Sequence, residues 1–250
     1  MYPVAIEEGT TGMWYGRFID FPGTHARARE KALLLQELSA ELQYHIQWLR
    51  RHGEKIITNS TPDIYIAEEV TGIRELGESG GEVALFQYDM HNITQAEADS
   101  FFRLMNYSRN DFTALIQSIP HNTLSCVPEG KQRSIVDIIH HVCNAEEFYI
   151  SRLGKNADHL FNAYSGMREE SRNTLPPKKR MDTVRTAALH TLQEILQKGK
   201  CPLVFTRSEY CVYPDERWTV HKVLRRFLEH EREHYYNIKE YLHQPPRELP

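Results

Sequence analysis

Residues 218–242 read WTVHKVLRRFLEHEREHYYNIKEYL, and this stretch decides the architecture of the carboxy-terminal half. Thr219 sits where a helix N-cap belongs. On a helical wheel at about 100° per residue with Phe227 at zero, Val220, Val223, Leu224 and Ile238 all fall within about 60° of it. That is the apolar stripe of an amphipathic helix running to about Leu242. Two histidines lie inside the stripe, His230 near −60° and His234 near −20° by the same arithmetic. They stand four residues apart, so their rings lie one above the other on one face. Imidazoles at core positions are costly unless partnered, and a His-x-x-x-His pair on a helix is a minimal chelating unit for a transition metal. The competing reading is that neighbours such as Glu231 or Tyr235 satisfy each ring, on a face whose charged residues are solvated.

The preceding segments predict three more helices. Thr94-Gln95-Ala96-Glu97 has capping-box spacing and opens a helix to about Ile119, where Pro120 stops it. Ser134 with Asp137 opens another to about Leu153. On that helix Ile138, Ala145 and Tyr149 mark the buried face. His141 falls about −60° from Ile138, at the margin of the face, and His140 points away near 200°. His141 can therefore supply a third imidazole. Glu146 lies about 140° round from His141, which makes it a poor co-ligand and suits a supporting role. His221, near 120° from Phe227, reads as solvent-facing or at a helix edge. A third helix spans about Met181 to Gln197, preceded by Lys178-Lys179-Arg180, a solvated helix start. The 154–177 connection is long enough to be functional or to carry short structure of its own. Leu203 to Val212 reads as a hairpin or loop. Four such helices make a bundle.

The first ninety residues follow a different pattern. Tyr2, Val4 and Ile6 alternate with Pro3, Ala5 and Glu7, as in a half-buried strand. Trp14 to Phe21 is a second strand, ended by Pro22-Gly23. A helix from about Arg27 to Arg51 presents Leu35, Leu38, Leu42, Ile46 and Leu49 on one face. Strand-like runs follow at Ile56-Ile57, Ile64 to Ile66 and Val83 to Phe86. The expectation is a small α+β domain, an antiparallel sheet backed by one helix, over residues 1–90, with the bundle over 91–250.

Across all 250 residues, 30 Lys and Arg against 34 Asp and Glu give a net charge of −4. That excludes a bulk electrostatic nucleic-acid binder. No apolar run approaches the ~20 residues of a membrane span, and the start carries no secretion signal, so the expected compartment is the cytoplasm. Four scattered cysteines, Cys126, Cys143, Cys201 and Cys211, form no Cys-x-x-Cys and read as incidental free thiols.

Two stretches resemble known families. Residues 95–243 resemble the DinB family, on Ser134-Ile135-Val136-Asp137-Ile138-Ile139 leading to His141, and on Trp218-Thr219-Val220 leading through Leu224 to His230 and His234. The resemblance implies a four-helix bundle with a metal held by three histidines, which fall on His141, His230 and His234. It departs from the family at Tyr235-Tyr236, where small residues are usual, and in the long 154–180 connection. Residues 1–60 resemble the HicB-like antitoxin domain, on Tyr2-Pro3-Val4-Ala5-Ile6-Glu7, Trp14, Asp20-Phe21-Pro22-Gly23 and the helix bearing Ala32. That resemblance implies a domain that binds a partner chain, here without the DNA-binding segment that usually follows.

Three imidazoles leave a coordination position open, which marks a catalytic rather than a structural metal site. Such a position can acidify a bound water to a pKa near 7 or take a thiolate as nucleophile, the second being what the DinB resemblance implies. The expected cofactor is a divalent transition metal, zinc or nickel first. The leading expectation is a metal-dependent hydrolase or thiol-dependent transferase acting on a small molecule. The alternative is a non-catalytic protein that uses its amino-terminal domain to bind a partner. A homodimer or partner complex is expected, with neither nucleic acid nor membrane. An antitoxin-type regulator ranks last, because no basic recognition helix is visible.

Overall fold

The computed structural model describes residues 1–56, 63–198 and 203–248. Ile57 of the expected strand at Ile56-Ile57, and Cys201, lie outside the described residues. The chain divides into two compact units, one of residues 1–90, 207–217 and 247–250, the other of residues 91–206 and 218–246.

In the first unit, β1 (Tyr2–Gly9), β2 (Trp14–Phe18), β3 (His25–Ala28) and β4 (Ile64–Ile73) form one sheet in the order β3-β2-β1-β4, with α1 (Lys31–Arg51) between β3 and β4 in sequence. The β1–β2 and β2–β3 pairs are antiparallel, but β4 runs parallel to β1. The expected sheet was antiparallel throughout. Hairpins make the first two pairs, whereas the chain reaches β4 only after a crossover containing α1, the kind of connection that parallel neighbours require. Strand β3 was expected to be the start of the helix. Its four residues bury Ala26 and Ala28 and expose Arg27, a period of two too short to stand out in sequence.

Val4, Ile6 and Phe18 on one face of the sheet pack against Leu34, Leu38, Leu42 and Ile46 of α1. Side chains of this size contribute roughly 1.5–3 kcal/mol each when fully buried. Gly16 permits that contact, since a Cβ there would stand 2.7 Å from a Leu38 methyl. The opposite face carries Ala5, Tyr15, Ile73, Leu76, Ala84 and Phe86. Val83 to Phe86 is not a strand. Its amides are taken by carboxylates instead, Ala84 N donating to Glu7 Oε2 at 2.7 Å and Val83 N to Glu216 Oε1 at 3.1 Å. Glu7 is fully buried and also accepts from Arg17, which lies over the Phe86 ring.

The second unit contains α2 (Gln95–Gln117), α3 (His121–Ser125), α4 (Ile135–Ser151), α5 (Lys155–Ser165), α6 (Glu169–Asn173), α7 (Pro177–Gln197) and α8 (Val220–Tyr241). Helices α2, α4, α7 and α8 make the bundle: α8 packs on α2 and α4, and α7 packs on α4 and α2. Both expected capping boxes are present, Thr94 with Glu97 and Ser134 with Asp137. Helix α7 begins at Pro177, four residues before the expected start, because proline is preorganised for the first helical position. The long connection carries structure of its own in α5 and α6, and Phe205 and Trp218 form an isolated antiparallel bridge. No helix among the described residues is long and apolar enough to cross a membrane.

Candidate metal centre

Helix α8 starts where its sequence says it should, with Thr219 accepting from Lys222 N. It is buried round nearly its whole circumference, from Val220 through Arg232. A helix this polar can be buried only if its charges are partnered. Arg226 donates to Glu229 at 2.9 Å, and Lys222 lies 4.2 Å over the Trp218 ring. This all-round burial overturns the expected exposure of His221, which is 8% exposed and packs edge-on against Phe101. The expected solvation of Lys178-Lys179-Arg180 holds for the lysines, but Arg180 is buried and donates to Asn144 Oδ1 at 2.6 Å.

The three histidines singled out in sequence come together. His230 Nε2 lies 3.2 Å from His141 Nε2 and 3.1 Å from His234 Nε2. Among the described residues this is the one group of three or more His, Cys, Asp or Glu whose possible ligand atoms all lie within 4.8 Å of one another. The capping box fixes the start of α4 and so the height of His141. The four-residue spacing on α8 stacks the other two.

These separations fit a common ligand. Nitrogens 2.0–2.1 Å from a tetrahedral ion are separated by about 3.3 Å. Hydrogen bonding alone serves the arrangement poorly. An imidazole nitrogen carries either one hydrogen or one lone pair, so His230 Nε2 can make a linear bond to only one of its two neighbours. A cation at the centre takes all three lone pairs.

His141 is half-buried while His230 and His234 are each 8% exposed, so the centre is open on the α4 side. Burial, reinforced by Arg133, pulls the His141 pKa down and keeps the ring neutral, the form that binds metal. Behind His230 stands Tyr149, edge-on with ring centroids 5.8 Å apart, its hydroxyl accepting from Arg226 at 3.2 Å. Burial pushes the Tyr149 pKa up, so the hydroxyl stays protonated. Asn237 Nδ2 lies 3.3 Å from His234 Nδ1.

His140 turns away from the centre, as expected, and its Nδ1 lies 2.9 Å from Arg180 Nη1. Glu231, offered in sequence as a partner for the histidines, turns instead to Arg185 at 3.2 Å and Arg109 at 2.7 Å, both ion pairs off the hydrogen-bonding angle. Glu146 joins the same two arginines. Sequence reasoning missed this quartet and the approach of Asn237 to His234. The only available signals were the charged residues on bundle helices and an asparagine three residues after a candidate ligand.

Cys143, two residues after His141, is fully buried, and its thiol is pushed up to about 12 by that burial, with Glu146 adding to it. It therefore stays a thiol at neutral pH. Cys126 is exposed. Iodoacetamide at pH 8 should alkylate Cys126 and spare Cys143 until the protein is unfolded, as read by peptide mass spectrometry. Equal labelling of the two in the folded protein would contradict the packing of α4.

A family model for the DinB superfamily matches residues 105–238. No curated protein matches the chain. Among solved structures, the chain is similar to TT2238, a four-helix bundle protein, at 18% identity over 57% of this chain and 98% of that one, with a TM-score of 0.39. It is also similar to YfiT from Bacillus subtilis, described as a probable metal-dependent hydrolase with an unusual four-helix bundle topology. That likeness is at 14% identity over 65% of this chain and 93% of that one, with a TM-score of 0.43.

Proposed function

This chain belongs to the DinB superfamily, and on that premise we propose that His141, His230 and His234 hold one divalent transition metal and that the bundle is a metal-dependent enzyme, a hydrolase or a thiol-dependent transferase of a small molecule. The observation that carries the reading is the approach of the His141 and His234 Nε2 atoms to that of His230 at 3.2 and 3.1 Å, with all three within 4.8 Å of one another, an arrangement in which one ion can engage all three nitrogens and a linear hydrogen bond only two. A metal there supplies Lewis acidity at the position the imidazoles leave open. The chain supplies the rest. Neutral His141 forms the accessible rim. The Tyr149 ring, held through its hydroxyl by Arg226, backs His230 and keeps water from that side. Cys143 on α4 is fully buried, so on this reading the thiol of a thiol-dependent reaction comes from a co-substrate.

The test is metal analysis of the purified protein, followed by two assays of the loaded form. One offers small esters and amides, the other a low-molecular-weight thiol with a small electrophile. One metal per chain, and turnover lost in the histidine variants, is the expected result. A protein that binds no zinc, nickel or manganese overturns the proposal.

Metal removal should leave the fold standing. The bundle core, with Phe112, Ile138, Val142, Val184, Leu192, Leu224 and Phe227 buried, needs no metal to form. A ligand present at a hundred times its Kd stabilises by about 2.7 kcal/mol. At roughly 2–4 °C per kcal/mol for a chain of this size, a chelator should lower Tm by about 5–10 °C with the far-UV helical signal intact. Collapse of the helical signal on chelation would make the site structural.

A further inference from the structure

Beyond the three ligands, we propose that Asn237 is a positioning residue that bonds His234 Nδ1 in either ring tautomer and so holds the ring in place for ligation when its Nε2 faces the centre as a lone pair. The proposal rests on the metal reading for its consequence, but not for its geometry.

Asn237 stands three residues after His234, on the same face of α8. Its amide lies 3.3 Å from His234 Nδ1, the nitrogen that faces away from the other two rings, and both residues are described within one regular helix. A neutral imidazole carries a single proton, on one nitrogen or the other. Whatever bonds Nδ1 therefore fixes the state of Nε2.

A primary amide can do either of two opposite things at Nδ1. With Nδ2 towards the ring it donates to a bare Nδ1, which places the proton on Nε2. The His234 Nε2–H then points at His230 Nε2, 3.1 Å away, and makes the one linear hydrogen bond that this nitrogen allows. With Oδ1 towards the ring it accepts an Nδ1–H, which leaves the Nε2 lone pair free for a cation. The two arrangements differ by a half-turn of the terminal side-chain torsion, which has broad, roughly two-fold wells. Asparagine is suited to both states, since it satisfies the ring whether or not the centre is filled. An aspartate would favour the ligating tautomer only, and an aliphatic residue would favour neither.

The experiment uses full-length protein with zinc chloride as the probe. Zinc affinity is measured by competition with a chromophoric chelator. The protonation of each His234 ring nitrogen is read from long-range 1H–15N spectra of the zinc-free protein. Asn237→Ala should weaken zinc binding about 10- to 100-fold, the usual effect of removing a group that orients a ligand. Asn237→Asp should restore wild-type affinity or exceed it, and should move the zinc-free His234 ring to the Nδ1–H form. The zinc-free melting temperatures of the two variants should agree within a few degrees.

Unchanged affinity in Asn237→Ala overturns the proposal, as does an equal loss in both variants, which would mean that the side chain only packs. If the wild-type protein binds none of zinc, nickel and manganese, the metal reading fails alone. The spectra then decide the role of Asn237, and a His234 tautomer identical in wild type, Asn237→Ala and Asn237→Asp overturns it.

Discussion

Alanine at His141, His230 or His234 should strip most of the metal from the purified protein, and each of the three variants should do so alone. Structural zinc sites with four ligands bind with about 10–16 kcal/mol, or roughly 2.5–4 kcal/mol per ligand. Loss of one imidazole therefore weakens binding by about a hundred- to a thousandfold. Each of the three brings its Nε2 to the same cluster, those of His141 and His234 lying 3.2 and 3.1 Å from that of His230. His140→Ala and exposed His159→Ala are the controls and should keep their metal, one because its ring turns to Arg180, the other because it lies on the surface of α5. His221→Ala is a packing variant rather than a surface control, since its ring is buried against Phe101. Elemental analysis after dialysis reads the outcome. Equal metal content in the triad variants and the controls would remove the centre from this bundle.

The second large effect is expected away from the centre, at Arg185→Met. Arg185 lies between Glu146 and Glu231, donating to Glu146 and to the carbonyl of Met105 at 3.1 Å. Burial alone would pull its guanidinium pKa down, but the two carboxylates more than offset that and leave it raised, so the charge is permanent. Arg109 adds a second cation to the same pair. Methionine keeps most of the side-chain volume and removes the charge. Two buried carboxylates would then share one arginine, and breaking a buried ion pair from one side costs about 3–5 kcal/mol. That is a large part of a typical net stability of about 5–15 kcal/mol. Urea denaturation should show the midpoint falling accordingly. Adding Glu146→Gln to Arg185→Met should recover part of the loss, because the uncompensated charge rather than the missing contact carries most of it. A loss below about 1 kcal/mol in the single variant would mean that water reaches the quartet.

Much of the helical framework was legible because its signals act within one or two turns. Thr94 and Glu97, and Ser134 and Asp137, satisfy each other's backbone amides three residues apart, so the starts of α2 and α4 are written locally. The stripe of Val220, Val223, Leu224, Phe227 and Ile238, with His230 and His234 inside it, has the helical period wherever the helix is placed. The first two strands and α1 were readable for the same reason, through the alternation at Tyr2 to Ile6 and the leucines of α1, whereas β3 between them was not. Other features join residues far apart in the chain, and no local pattern specifies them. The approach of His141 to His230 spans 89 positions and depends on how α4 packs against α8. The Glu146 quartet draws on α2, α4, α7 and α8 together, so its four charges look like ordinary surface residues until the bundle closes over them. His221 was misplaced because one helical wheel assumes one dry face, whereas burial on all sides of α8 from Val220 to Arg232 makes every face there interior. The parallel pairing of β4 with β1 likewise follows from the direction in which the chain returns after α1, which the side-chain alternation within either strand does not encode.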